Sequence, residues 1–395
     1  MAMPNRRSWS AAWVDVDLGR SRPEDTVTRP RVAIAHDYLT QRGGAERVVL
    51  ALHRAFPEAT IHTTLYDPDG TYPEFRDARI ETSPLNKVGW LRRSHRAALP
   101  FLAPASSRLR VDADVVVASS SGWAHGFAIT GRRLVYCHAP ARWLYQPVEY
   151  LGGPSYTSAR GLALAALRPF LLRWDRRAAG RADRYLCNSR VVRERIAEVY
   201  GITAEVVPAP VGIEISGPSE AVPALTDWAD GFLLVVSRLL PYKNVDRVVE
   251  ALRELDERLV VVGAGPELES LSAMLPGNAR IVSDLPDSQM RWVYAHARAL
   301  VAPSHEDFGL TPIEAGAWGK PTLALRAGGY LDTIAEDVSG LFFDAPTPEA
   351  IRAAVVADRG RSWDPAAIRE HMEQFTEAHF AARLQAEVAG LLHEK

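Results

Sequence analysis

Cysteine is scarce in this 395-residue chain, which has only Cys137 and Cys187. Two thiols make no disulfide framework, and no CxxC or clustered Cys/His spacing suggests zinc, so a reducing, cytoplasmic setting is expected. Lysine is scarcer relative to its kind: Lys87, Lys243, Lys320 and Lys395 are the four lysines among 46 basic residues. No uninterrupted apolar run approaches the ~20 residues of a bilayer span. No apolar h-region of a secretory signal opens the chain, and no repeat with a period of about 20–50 residues is visible. With 47% hydrophobic and 24% charged residues, these absences exclude a disordered tail, a collagen-like fibre and an ordinary transmembrane protein.

What is present divides in two. The formal net charge is −2, but residues 1–210 carry +10 and residues 211–395 carry −12. The halves are electrostatically different objects, and the length suits two domains with a core each. Residues 1–29 mix Arg, Ser, Asp and Pro without period and read as a disordered leader.

From Arg31 onward, short β-branched runs alternate with amphipathic stretches. The runs 31–37, 59–65, 114–121, 133–138, 183–189 and 204–210 read as buried strands, with helices over Ala45–Ala55 and Ser189–Tyr200 between them. The pattern restarts after the Pro-, Gly- and Ser-rich stretch 208–225, with strands expected at 232–238, 258–265, 279–284, 298–305, 320–326 and 340–344. This predicts an α/β chain of two tandem Rossmann-like doubly wound domains, residues 30–210 and 211–375. A C-terminal helix over 376–395 is expected to pack back on the first domain. Two such domains face a cleft at the carboxyl ends of their strands, where open sheets bind ligands.

The segment APSHEDFGLTPIEAGAWGKP (302–321) carries the most chemistry. A strand ends near Ser304, Glu306 and Asp307 occupy a polar loop, and Phe308, Gly309 and Leu310 lead into a helix with Thr311 as N-cap and Pro312 in the first turn. The N–H groups at a helix start suit a phosphate. Glu314, expected in the first turn, and Glu306 are placed to reach one ligand from two sides. Arg238 and Lys243 follow the first strand of the second half, five residues apart, so that two cations converge on one anion. Gly43 and Gly44 precede a helix and let the backbone approach a ligand, or serve simply as a strand-to-helix turn.

The 302–321 segment resembles the E-x7-E signature of glycosyltransferase family 4, retaining enzymes of the GT-B architecture. VVSRLLPYKNVDRVVEAL (235–252), LVVVGAGPELESL (259–271) and KPTLALRAGGYLDTIAEDVSGLFFD (320–344) are similar to that family in order. In the first half, IAHDYLTQRGGAERVV (34–49) resembles its glycine-rich loop and VYCHAP (135–140) its His-bearing strand end. The combination looks most like bacterial mannosyltransferase-type members. The resemblance implies a nucleotide-diphosphate sugar donor, with GDP-mannose the best choice, and no cofactor. Arg238 and Lys243 are implied to hold the diphosphate, the helix start near Thr311 and Glu314 to bind the donor with them, and the turn at Gly265 to sit beside the base. Glu306 with Phe308–Leu310 would orient sugar hydroxyls. Gly43 and Gly44 would lie near the donor phosphate or the acceptor, and His138 would contact the transferred sugar by its ring or carbonyl. His36 and Asp37 are weaker candidates for lining the acceptor side. The Ser283–Asp284 strand end lacks the glycine relatives place before it, which leaves base recognition open. The family's proposed front-face route, in which the leaving phosphate helps deprotonate the acceptor, is then expected.

Three DxD spacings, Asp15–Asp17, Asp67–Asp69 and Asp112–Asp114, read as structural, and no catalytic metal is expected. Between Thr82 and Val111 six basic and no acidic residues interleave with Leu85, Val88, Trp90, Leu91, Leu99, Phe101 and Leu102. A second basic stretch spans 167–184. These fit peripheral contact with anionic lipid, an anionic acceptor, or a solvated face; nucleic acid is disfavoured by the absence of a recognised binding motif. The acceptor is left open among a glycan, a lipid-linked sugar and a small molecule. A catalytically silent sugar-nucleotide binder and a nicotinamide-dependent oxidoreductase are the rival readings; the lack of GxGxxG argues against the second.

Overall fold

The structure, a computed structural model, describes residues 30–93, 98–146 and 159–394. The expected leader, Asp15, Asp17 and Arg96 lie outside the described residues. The first half contains β1 Val32–His36, β2 Thr60–Thr63, β3 Ile80–Thr82, β4 Arg110–Val111, β5 Val115–Ser120, β6 Ala128–Ile129, β7 Arg132–Cys137, β8 Arg184–Cys187 and β9 Glu205–Val206. The second contains β10 Phe232–Val236, β11 Leu259–Val262, β12 Ala279–Val282, β13 Ala297–Ala302, β14 Thr322–Leu325 and β15 Gly340–Phe343.

A seven-stranded sheet runs in the order β3-β2-β1-β5-β7-β8-β9, and a six-stranded one in the order β12-β11-β10-β13-β14-β15. All the pairings are parallel. Such sheets need cover on both faces, and β1, β5 and β10 are buried at nearly every position. In each sheet the chain starts centrally, adds two strands on one side, then crosses over. The reversals fall between β1 and β5 and between β10 and β13, and the crevice outside such a reversal is the standard ligand position of open sheets. The pair β4 and β6 forms a separate small ribbon.

Helix Gly44–Ala55 follows β1 and turns Val48, Val49 and Leu52 into the core. Helix Arg190–Tyr200 starts at Ser189, whose hydroxyl accepts from Val192 N, and stops at Gly201 in the left-handed region, φ 68°. The last helix, Glu377–His393, buries Phe380, Leu384, Val388 and Leu391 in the same apolar cluster as Val48 and Leu52. Each such side chain contributes about 1.5–3 kcal/mol of burial. Arg54 donates to Glu377 at 2.6 Å and Gln385 Nε2 to the Ala55 carbonyl at 3.0 Å. The final helix thus returns from the second sheet to the first. Among the described residues no helix is long and apolar enough to cross a membrane.

Candidate active site

Both strand reversals open onto one cleft of about 600 Å³. From the first half it receives the Gly43–Gly44 turn, Glu46, His138 and Arg142; from the second, Arg238, Lys243, Glu306 and the start of helix Leu310–Ala317.

On the second-half side, Lys243 is buried and its Nζ pairs with Glu306 Oε1. Ser304 Oγ donates to the same carboxylate oxygen at 2.7 Å, and the amide of Gly329 donates to the Glu306 carbonyl at 2.8 Å. The Ala327–Tyr330 segment therefore braces the Glu306 loop from below. Arg238 is exposed and contacts the Tyr242 hydroxyl at 3.3 Å. The two cations line the same cleft, but Lys243 already faces a carboxylate whereas Arg238 reaches solvent.

The helix that follows differs from the sequence expectation. Its N-cap is Gly309, with φ 90° and ψ 79°, not Thr311, which lies in the first turn. A Cβ at Gly309 would also fall 2.6 Å from the Tyr330 ring, so glycine is required twice over. The earlier start puts Glu314 two residues further into the helix than expected, about half a turn. Its side chain is buried, accepts from Tyr294 Oη at 2.6 Å and does not line the cleft. Burial raises the Glu314 carboxyl above its ordinary range, against the opposing pull of Arg47 and the Tyr294 hydrogen bond. Arg47, from helix Gly44–Ala55, also bonds the Gly212 carbonyl and lies 3.6 Å from Asp287, tying the inter-domain linker to both halves. Gly265 does not line the cleft either; it packs against the Leu239 backbone. Phe308, Gly309, Leu310 and Thr311 do line it.

On the first-half side, the glycines serve close approach rather than unusual backbone. A Cβ at Gly44 would lie 2.8 Å from Leu310 Cδ1, and one at Gly43 2.5 Å from Glu46 Oε2. The Gly-rich turn therefore abuts the helix start of the other half. His138 directly follows β7 and its Nε2 lies 2.8 Å from Ser119 Oγ; its carbonyl accepts from Asn188 at 3.3 Å. Burial, aided by the charge of His36, pushes the His138 imidazole down to about 3. The ring is neutral at ordinary pH, so it hydrogen-bonds and carries no charge.

Asp37 has a structural task. Its carboxylate accepts N–H groups from Ser121, Trp123 and Ala124 at 2.7, 3.0 and 2.7 Å, fixing the loop after β5. This loop sets Trp123 in a stack with Trp143, ring centroids 4.9 Å apart, both on the cleft wall. The DxD residues Asp112 and Asp114 are structural too, holding Arg31. Asp307, beside Glu306, crosses the cleft to Arg195 at 2.6 Å and Arg142 at 3.6 Å, and its carbonyl accepts from Ser189 Oγ. Sequence reasoning placed Asp307 in the polar loop without its partners, and missed Ser119 and Glu46. Of these, only Glu46, an acid in a helix's first turn behind a glycine pair, gave a local signal.

Residues 42–215 match the family model described as Glycosyltransferase Family 4, and residues 226–357 the model described as Glycosyl transferases group 1. The chain belongs to glycosyltransferase family 4. Curated relatives of this family 4 member include a GDP-mannose-dependent alpha-mannosyltransferase of Mycolicibacterium smegmatis, 34% identical over 206 residues, covering 48% of this chain and 52% of the relative. A D-inositol 3-phosphate glycosyltransferase of Segniliparus rotundus is 29% identical, covering 45% and 44%. The chain spans about half the length of the curated relatives it matches. Among solved structures, sucrose-phosphate synthase from Thermosynechococcus elongatus aligns with a TM-score of 0.66 at 18% identity, covering 91% of this chain and 99% of that one. Anabaena Alr3699/HepE in complex with UDP-glucose aligns with a TM-score of 0.66 at 16% identity, covering 92% and 100%. The fold of this family 4 member is GT-B.

Proposed function

We propose that the protein is a retaining, metal-independent glycosyltransferase that moves a hexose from a nucleotide-diphosphate sugar to a glycan, lipid-linked or small-molecule acceptor. The observation that carries this reading is the convergence of Lys243, Glu306, Arg238 and the helix start at Leu310 on one cleft opposite His138. Cleavage of the donor places negative charge on the departing diphosphate. Lys243, Arg238 and the amides at the helix start supply fixed positive charge for it without a metal. Glu306, already oriented by Ser304 and Lys243, is free to turn its second oxygen to sugar hydroxyls. Asp37 is consumed by backbone amides and Glu306 is assigned to the sugar hydroxyls, so neither is offered as a covalent nucleophile. The front-face route, with the leaving phosphate taking the acceptor proton, follows from that assignment.

Mannose from GDP-mannose is the proposed donor, supported by the similarity to the GDP-mannose-dependent alpha-mannosyltransferase of Mycolicibacterium smegmatis. The basic half is the proposed acceptor side. Trp90, Phe101 and Phe170 are 60%, 50% and 60% exposed, and Arg93, Arg108, Arg173 and Arg177 are exposed on the same segments. They support peripheral contact with an anionic membrane, in the cytoplasm. Replacing Lys243 by Met or Glu306 by Gln should abolish donor turnover while the variants melt cooperatively. Wild-type turnover in both would overturn the assignment. Sedimentation with anionic vesicles, but not with neutral ones, tests the membrane contact.

A further inference from the structure

A chain of polar groups runs along the first-half wall of the cleft: the buried Glu46, His36 and Ser119, then the half-buried His138. His36 ends β1, and the β1–β5 register places it opposite Ser119. His36 is 2% exposed, Glu46 1% and Ser119 fully buried. His36 Nε2 lies 3.9 Å from Glu46 Oε1, which also accepts from Gln41 at 3.1 Å. His36 Nδ1 lies 3.1 Å from both the carbonyl and the hydroxyl of Ser119, and that hydroxyl lies 2.8 Å from His138 Nε2.

The proton positions along this chain follow by elimination. A carbonyl oxygen only accepts, so the contact between His36 Nδ1 and Ser119 O requires a proton on Nδ1. That N–H faces the Ser119 hydroxyl as well, which is therefore not a donor to His36. Among the described residues no other acceptor faces Ser119 Oγ than His138 Nε2. A buried hydroxyl proton without an acceptor is costly, so it goes to His138. His138 Nε2 is then bare, and the neutral ring carries its proton on Nδ1. No described residue bonds His138 Nδ1, and His138 lines the cleft. The Glu46 carboxylate strengthens the arrangement: burial alone would lower the His36 pKa, yet the nearby Glu46 carboxylate, with the charge of Asp37 and the Ser119 carbonyl, raises it.

We propose that His36 is a positioning residue: acting through Ser119, it locks His138 in the Nδ1–H tautomer, so that His138 offers the cleft a hydrogen-bond donor and cannot act there as a base. Resting on the transferase reading above, the proposal assigns His138 to donate to an oxygen of the bound sugar or leaving group. The histidine's tautomer is set by what its other nitrogen meets, as in other oriented imidazoles.

The test is imidazole nitrogen NMR on the full chain labelled with nitrogen-15 histidine, with the His138 signals assigned by their loss in His138→Gln. In the wild type, without any ligand, Nδ1 should give the protonated-type shift and Nε2 the bare-type shift. The opposite pattern, or averaged shifts, overturns the proposal whatever the enzyme turns over. In Ser119→Ala and His36→Leu the two shifts should move toward the average, whereas His36→Asn, whose amide still donates to the Ser119 carbonyl, should keep the wild-type pattern. An unchanged pattern in folded Ser119→Ala also overturns it. Should the variants fail to fold, the wild-type measurement decides alone. With GDP-mannose as probe, Ser119→Ala should lower kcat on the order of tenfold, the worth of one neutral hydrogen bond. If neither His138→Gln nor Ser119→Ala changes turnover while the tautomer pattern holds, the role in transfer is lost and the locked tautomer stands.

Discussion

The His138 imidazole gives a pH dependence of stability with a definite sign. Its pKa is pushed down to about 3 in the folded protein, from 6.5 for the free side chain. Below pH 6.5 the unfolded chain takes up a proton at this site that the folded chain does not. Stability therefore falls with falling pH, by about 1.4 kcal/mol per pH unit, until the folded value is reached. From pH 7 to pH 4 the integrated loss from this one group is about 3 kcal/mol. His36 works the other way: its folded pKa is raised, so its contribution is complete below 6.5 and is lost as pH rises through the folded value. Together the pair favours the folded state most strongly near pH 6.5. Urea unfolding of the wild type and His138→Gln across pH 4–7, followed by tryptophan fluorescence, isolates the first effect, because contributions of other groups cancel in the difference. The variant should gain relative to the wild type by about 3 kcal/mol at pH 4 compared with pH 7. A difference that stays flat over this range would refute a neutral, desolvated His138.

Other perturbations read other parts of the architecture. Asp37→Asn puts an amide among three backbone donors and should cost about 2–3 kcal/mol in denaturant unfolding; an unperturbed midpoint would show that the loop holds itself. Gly309→Ala forces φ 90° and a 2.6 Å approach to Tyr330 on a side chain. It should lower stability by about 1–3 kcal/mol and weaken donor binding in calorimetric titration. Arg195→Ala removes the shorter of the two ion pairs that Asp307 makes across the cleft, and amide exchange in the Glu306–Leu310 loop should quicken, with no change at β11.

Most of the fold was written in local pattern. The long apolar runs became β1, β5, β10 and β13 at nearly their expected limits, because a strand buried on both faces has no alternation to hide it. The short pieces were not legible. Ile80–Thr82, Arg110–Val111 and Ala128–Ile129 are two or three residues long, and their strand character comes from neighbours rather than from composition. Thr311 looked like an N-cap by residue type; the cap went to Gly309 because its left-handed backbone turns the loop beneath Tyr330. That shift moved Glu314 out of the cleft and against Tyr294. The Lys243–Glu306 pair joins residues 63 positions apart, and the His36–Ser119–His138 chain joins the ends of three strands that only the sheet order brings together.

Consumption of nucleotide sugars by the purified protein is the most direct measurement, using GDP-mannose beside GDP-, UDP-, ADP- and dTDP-linked alternatives, with and without a metal chelator. The proposed function predicts that GDP-mannose is consumed fastest, equally well with chelator present, and the assignment of the cleft predicts that Lys243→Met and Glu306→Gln abolish it. No donor consumed above the buffer rate, or full turnover in both variants, would contradict it.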